Sequence, residues 1–397
     1  MSDAHRLAIV LAAVLVVAPA RSGAGDRVVV AWDTPAIQGR VAALDTAPPY
    51  LFATPELAVG ADGLVRVAFG RVYHLSRTSG ALTVIDPKSW TPVQSFALGA
   101  GSEPRDVAVI DANTAYVSRR SARYLMRLDL ASGAKVDAVD LAPLGAGDGN
   151  PAMDTMLVRA GRLYLQLAGE PGSGQPHALA VIDLASETLV DTDPVTAGIQ
   201  GVALLGTGPR FKMQRVPRSN RLMVSATGAF HDNGGFELID LDALQSLGLI
   251  VREQEEAGAD AGAFTLVDAQ RGWLVFSTDL LLSSHLHAFT FTGGMDPSEA
   301  DVALNYFAPH LVYHAASNTL FWPEPDGVQP FDATTGAPRA VPTSLDGLPT
   351  DLELLAPALG IPLPEWAPIA LGVLLAAMAP SMRASRSMPS AVADLVE

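Results

Sequence analysis

Along this chain, short runs of apolar β-forming residues keep ending on an aspartate. The runs close at Asp86, Asp129, Asp183, Asp240 and Asp332, with a weaker copy at Asp45 and a degenerate one at Thr290. Successive marks stand roughly 40 to 57 residues apart, a range in which the repeating unit is a propeller blade rather than a pair of helices. Within a unit the apolar positions fall in four short segments. In the first well-formed unit, Gly63 to Gly99, these are 65–69, 72–75, 82–85 and 92–97; in the next they are 105–110, 114–117, 124–128 and 136–140. A strand turns successive side chains to opposite faces, so four such strands supply two apolar faces, one for each neighbouring blade.

The aspartates have a local explanation. Asp129 to Gly133 and Asp332 to Gly336 each end a strand and reverse the chain. The carboxylate can accept hydrogen bonds from the N–H groups of its own turn, and the glycine supplies the positive φ that closes it. The turns after Asp86 and Asp183 keep the Asp and a Ser but lack the glycine. Turn capping therefore accounts for these carboxylates better than a set of metal-binding or catalytic acids.

Later units span 156–193, 211–249, 263–307 and 311–341. The N-terminal stretch offers only three strands, at 28–32, 41–44 and 57–60, and the segment 351–355 at the far end supplies a fourth. Borrowing that strand would close the ring and cover an otherwise open edge. The pattern predicts an all-β fold: a β-propeller over residues 27–356, of seven blades, shut by a C-terminal clasp strand. Six blades stay open as the alternative, because the unit around Thr290 is irregular.

One stretch carries a resemblance. Glu103-Pro104 before the strand 105–110, then Ala115-Tyr116-Val117-Ser118, then Leu128-Asp129 with its turn to Gly133, resembles the YVTN-type repeat of bacterial β-propellers. The preceding unit, with Val72-Tyr73-His74 and Ile85-Asp86-Pro87, is similar. The likeness covers about residues 63–143 and degenerates afterwards. It implies a secreted or surface propeller and no particular chemistry, since the shared residues are structural.

Composition narrows the classes. The chain has 397 residues, 49% of them hydrophobic and only 17% charged, enough to bury one large core. It has no cysteine, which excludes disulfides, thiolate catalysis, Cys-based zinc sites and covalently attached haem. With a net charge of −16 and no basic stripe, it is not expected to bind nucleic acid, where phosphate neutralisation supplies much of the affinity.

Both ends read as processing or anchoring segments. Residues 1–24 have a basic start (His5, Arg6), an apolar run and small residues suited to cleavage, as in a secretory signal peptide. After a Pro-rich linker, 357–366, residues 367–382 form an uncharged apolar stretch, followed by Arg383, Arg386 and a short tail, 383–397. At about 1.5 Å per residue that stretch would span roughly 24 Å as a helix, a little short of a ~30 Å bilayer core. Its order resembles the C-terminal sorting signals handled by bacterial exosortase-type systems, although the tail is longer than usual and not basic. A plain single-span membrane anchor is the alternative.

Two groups could carry chemistry. His285 and His287, two apart on a strand, would face the same side and could share a metal ion, though no Asp or Glu stands at a supporting spacing. Arg77, Arg105, Arg119, Arg120 and Arg123 fall on loops that enter a blade or follow its second strand. Those loops share one rim of a propeller, so the five could form an anion-binding mouth with planar guanidinium forks. The competing reading is solvated arginines paired with local acids such as Glu103 and Asp106. No catalytic residue is assigned and no cofactor is expected, as no nucleophile elbow, HExxH helix, P-loop or dinucleotide fingerprint is present. The expectation is an exported, envelope-anchored module that binds or scaffolds, its partner a protein or an anionic small molecule or glycan, with a membrane contact through the C-terminal segment. The alternative is a periplasmic propeller enzyme, a lactonase-like hydrolase or the non-cofactor subunit of a dehydrogenase.

Overall fold

The computed structural model describes residues 26–99, 101–145, 149–169, 177–228, 233–255, 259–278, 283–295, 302–304 and 310–355. The leader predicted over 1–24 and the segments predicted over 357–397 lie outside these residues. Among the described residues no helix is long and apolar enough to cross a membrane.

Seven antiparallel sheets follow one another along the chain. Blade I pairs Leu57–Val59, Gly39–Asp45, Arg27–Asp33 and Leu348–Leu355 in that order. Blade II is Gly63–Ala68, Arg71–Ser76, Ala81–Asp86 and Thr91–Ala97; blade III is Pro104–Val109, Thr114–Arg119, Tyr124–Asp129 and Lys135–Asp140. Blade IV is Met153–Arg159, Arg162–Leu167, Ala178–Asp183 and Thr188–Leu189, with Val202–Ala203 also on its third strand. Blade V is Pro209–Arg215, Arg221–Ala226, Gly235–Asp240 and Gln245–Arg252. Blade VI is Ala259–Leu266, Arg271–Thr278 and Ser283–Thr290, whose outer side carries both Gly294–Met295 and Val302–Leu304. Blade VII is Val312–His314, Thr319–Glu324, Gly327–Asp332 and Thr343–Ser344.

The strand Leu348–Leu355 is the clasp. It pairs antiparallel with Arg27–Asp33 from Arg27↔Leu355 to Asp33↔Leu348, with an irregularity between Ala31 and Trp32. It touches both Gly63–Ala68 and Val312–His314, so the inner strands of the seven blades contact one another all the way round. The Trp32 indole N–H donates to Asp346 at 2.7 Å and ties down the approach to the strand.

Burial explains why the number is seven. The described core divides into seven apolar clusters, and each lies between two successive blades. On Arg27–Asp33, Val28 and Val30 pack toward blade VII with Phe321 and Val328, while Val29 and Ala31 pack toward blade II with Val65, Val72 and Ile85. Strand alternation thus makes one apolar run serve two interfaces. Blade VI, irregular in sequence, is complete. There the Thr290 hydroxyl accepts from the Gly293 N–H at 3.0 Å, in the role aspartate plays elsewhere.

The aspartates cap their turns as expected. Asp129 accepts from the N–H groups of Ala131 and Ser132, Asp183 from Ala185 and Ser186, Asp240 from Asp242 and Ala243, and Asp332 from Thr334 and Thr335. Asp86 accepts from Lys88. Bonds from the turn backbone hold the carboxyl groups of Asp86, Asp129, Asp183 and Asp240 below their ordinary range. The turns without glycine keep the same backbone: Trp90, Glu187 and Leu244 have φ of 52°, 54° and 52°, where Gly133 and Gly336 have 75° and 70°.

One core residue sets a pH limit. His74, on the second strand of blade II, is 1% exposed, and neither ring nitrogen has a partner among the described residues. Its Nε2 lies against Gly63, where an added Cβ would stand only 2.3 Å away. Burial pushes its pKa down to about 4. The unfolded chain therefore takes up a proton before the folded one does, and stability present above the ordinary histidine range is lost as pH falls toward 4. The loss through this residue should be on the order of 3 kcal/mol. Urea unfolding between pH 7 and pH 4 should show the decline, and His74→Leu should flatten it. An equally steep decline in the variant would assign the loss to other groups.

Candidate binding site in the central channel

The inner strands surround the channel, and two buried aspartates staple them together. Asp351 of blade I accepts from the Val65 N–H of blade II and from Leu352 N–H, both at 2.7 Å. Asp106 of blade III repeats the device, accepting from Met156 N–H of blade IV and from Val107 N–H, both at 2.7 Å. Both residues are at most 1% exposed. Their charge is met by cations on the inner strands. Arg66 Nη2 donates to Asp106 at 2.7 Å, and Arg66 Nη1 lies 3.6 Å from Glu353. Lys212, on blade V, reaches to blade I, with Nζ 2.8 Å from Asp351, 2.6 Å from Glu353 and 2.8 Å from the Leu352 carbonyl. Burial raises the Asp351 pKa, against the opposing pull of Lys212 and Arg66.

Beside this ionic layer lies a cavity of about 300 Å³. Arg66, Lys212, Glu353 and His310 line it, together with Phe211, Phe264 and Leu311. The His310 Nε2 is 3.3 Å from Asp351 Oδ1, while its Nδ1 is buried without a hydrogen-bond partner among the described residues. Burial, then the charges of Lys212, Arg66 and Arg77, depress its pKa well below the ordinary value.

The mouth is a second recess, lined by Asp62, Arg77, Thr78, Glu103, Pro104 and Arg105. It forms where the loops entering blades II and III meet the turn after the second strand of blade II. Arg77 pairs with Asp62 at 2.5 Å. Arg105 is more loosely held. Its Nε and the Nε of Arg77 are both buried without acceptors among the described residues. Burial lowers the Arg105 pKa; Asp154 opposes this, and the guanidinium groups of Arg120 and Arg77 add to it. Asp154 is itself raised by burial and drawn down by Arg105 and Arg210. Like charges are thus crowded at one point of a chain whose net charge is −16.

Three of the five arginines singled out in the sequence come together here: Arg77, Arg105 and Arg120. The other two turn to acids on the outer strand of blade III. Arg119 bonds Asp137 at 2.7 Å and the Tyr124 carbonyl at 2.8 Å. Arg123 forks onto both oxygens of Asp140, with the Nε contact at 2.6 Å, and covers the Tyr124 ring. That pairing holds the Asp140 carboxyl at about 2. Asp106 joins none of the rim arginines. It follows Arg105 directly, past an irregularity in the strand pairing between Pro104 and Asp106, and its carboxylate goes to Arg66 instead.

His285 and His287 lie on the third strand of blade VI with rings nearly parallel, centroids 6.0 Å apart. His314 bonds Ser317 and Asp26, each at 2.7 Å. Among the described residues no three His, Cys, Asp or Glu side chains gather as a metal site would require.

No protein-family profile and no curated protein sequence matches the chain. Solved structures do. A protein from Bacteroides fragilis provisionally described as a 6-phosphogluconolactonase superposes with a TM-score of 0.57 at 11% identity, covering 85% of this chain and 99% of its own. Kuenenia stuttgartiensis hydrazine synthase gives 0.54 at 12%, covering 73% and 93%. Apo AztD from Citrobacter koseri gives 0.50 at 12%, covering 83% and 98%. What they share with this chain is the fold. At such identity the functions of propellers diverge freely.

Proposed function

We propose that this chain is an exported binding propeller of the YVTN-repeat type, held at the cell envelope by its C-terminal segment, whose channel mouth takes an anionic ligand. The observation that carries this reading is the recess lined by Arg77 and Arg105, with the guanidinium of Arg120 near enough to repel that of Arg105. A carboxylate or phosphate seated there would meet the guanidinium groups and relieve the like-charge repulsion. Asp62, Glu103 and Asp154 flank the same point and would limit affinity for highly charged anions.

Calorimetric titration with citrate, phosphate and galacturonate tests the mouth. At least one should bind wild type below about 1 mM. Arg105→Lys should weaken it more than about tenfold, roughly 1.4 kcal/mol, because lysine offers a point charge and no planar fork. The double variant Arg119→Lys, Arg123→Lys should bind nearly as wild type. No binding by any of the three anions, or equal binding by Arg105→Lys, would remove the anion reading.

Anchoring has its own test. The apolar stretch 367–382 with Arg383 beyond it should carry the full chain into the membrane fraction, and a chain ended after Leu359 should be released. A full-length protein recovered only from the soluble fraction, with its C-terminal peptide intact by mass spectrometry, would contradict this.

A further inference from the structure

We propose that the rim opposite the mouth rests on an anionic lipid surface, with Phe69 entering the headgroup layer and Arg215, Arg218 and Arg221 meeting lipid phosphates. The choice of lipid as partner rests on the membrane-anchored reading above. The observation that asks for a partner is Phe69. With Gly70 it forms the two-residue turn between Gly63–Ala68 and Arg71–Ser76, at φ of 47° and 68°. It is 49% exposed and belongs to none of the seven apolar clusters. A large side chain at positive φ strains the backbone, and such turns favour asparagine or glycine.

The fold does not require an aromatic there. Blade IV builds the corresponding turn from Ala160 and Gly161, at φ of 49° and 74°, between Met153–Arg159 and Arg162–Leu167. A methyl group is enough for that turn. An exposed ring at a strained hairpin tip adds nothing to the packing of the blade. It suits a boundary between water and lipid headgroups, where the apolar ring leaves water.

Position points to the partner. Gly63–Ala68 runs beside the clasp strand in the same direction: Asp351 accepts from the Val65 N–H at 2.7 Å, and Glu353 lies 3.6 Å from Arg66. Phe69 thus reaches the rim next to Leu355, where the described residues end. Leu355 and Val67 pack on the same apolar cluster, between blades I and II. From this rim the sequence runs through 356–366 to the uncharged apolar stretch 367–382. The eleven residues 356–366 span at most about 40 Å fully extended, so an anchored chain keeps this rim near the bilayer.

The same rim carries unpaired positive charge. The inner strands of a propeller all run one way, so the turns after Ala68, Arg159 and Arg215 stand at the end where Leu355 leaves the ring. From 194 to 231 the sequence has no Asp or Glu, yet it has Arg210, Lys212, Arg215, Arg218 and Arg221. The last three are exposed around one turn of blade V, and none closes an ion pair among the described residues. Arg159 of blade IV joins this turn by donating to the Asn220 side chain. Asp240 faces Arg221 across the strand pair and Asp242 accepts from Asn220, so two carboxylates temper the patch. Anionic headgroups attract such arginines, but one ring and three arginines hold too weakly to replace an anchor.

The test uses the full chain with one label at a time, which the lack of cysteine permits. Ser219→Cys on the blade V turn, or Thr78→Cys at the mouth, carries a bimane, and the vesicles carry a nitroxide on their headgroups. The vesicles are phosphatidylcholine alone or phosphatidylcholine mixed with phosphatidylglycerol. In the anionic vesicles the Ser219→Cys label should be quenched at least about twofold more than the Thr78→Cys label. Phe69→Asn, which suits the turn, should remove about half or more of that difference, and so should Arg215→Gln, Arg218→Gln and Arg221→Gln together. Arg105→Lys at the mouth should leave it unchanged. Equal quenching of the two labels, or a difference that survives either change at the rim, overturns the docked rim. Sedimentation with the phosphatidylcholine vesicles reads the anchor separately. A chain that sediments with them while the two labels stay equal in the anionic vesicles keeps its anchor and overturns the docking. A chain that does not sediment with them loses the anchor, and quenching in the anionic vesicles still decides the rim.

Discussion

A chain that lacks Leu348–Leu355 is expected to show no cooperative unfolding transition. The segment is the last strand among the described residues but the innermost strand of blade I. Its loss bares the full length of Arg27–Asp33 as an open edge and removes Leu352 from the cluster shared by blades VII and I. It also takes away Asp351, which holds Val65 of blade II, and the carboxylates that meet Lys212 of blade V. Four blades feel one deletion, and the total stability of such domains is only about 5–15 kcal/mol. Calorimetric scans of chains ending at Gly347 and at Leu359 make the comparison. The longer chain should melt like the full domain. A shorter chain that still melts cooperatively within a few degrees of it would mean that the ring does not depend on its clasp.

Single substitutions at the two staples should have the largest effects of any point changes. Asp106→Ala leaves the N–H groups of Val107 and Met156 and the Arg66 guanidinium without their acceptor, all in a buried setting. Asp351→Ala does the same to Leu352, Val65 and Lys212. Breaking a buried ion pair from one side typically costs about 3–5 kcal/mol; Lys212 and Arg66 keep Glu353, so here the loss falls mainly on the buried N–H groups left without an acceptor. Each variant should fall in that range in urea unfolding, against a far smaller loss for the exposed pair removed by Arg123→Gln. Losses below about 1 kcal/mol at both aspartates would show that the staples hold nothing together.

The parts of this structure that the sequence makes legible are those built from neighbours along the chain. An Asp that caps the N–H groups of its own turn leaves its mark locally, and it repeats in blades II, III, IV, V and VII. The clasp is legible for a related reason: a three-stranded unit at one end and a spare strand at the other is a visible deficit. Glycine proves a poorer guide than expected, since Trp90, Glu187 and Leu244 adopt positive φ without it. The channel is another matter. Its ionic layer joins Lys212 to Glu353 across 141 positions, and Asp351 to Val65 across 286. In the sequence each of these is an unremarked residue in an apolar strand. His310 looks like one more histidine after an irregular unit, and only ring closure brings it beside Asp351. The mouth lies between these cases. Its arginines stand out in an acidic chain, but their side-chain directions do not, which is why Arg119 and Arg123 leave the group while Arg77 and Arg120 stay.

The central claim, that the crowded arginines of the mouth form an anion site, can be read directly by anomalous diffraction. Crystals of the protein would be soaked in selenate and measured at the selenium edge, where an ordinary methionine protein contributes no selenium of its own. The account predicts a peak within hydrogen-bonding reach of Arg105 and Arg77, and its absence in crystals of Arg105→Gln. Selenate bound elsewhere on the surface while that position stays empty would contradict it.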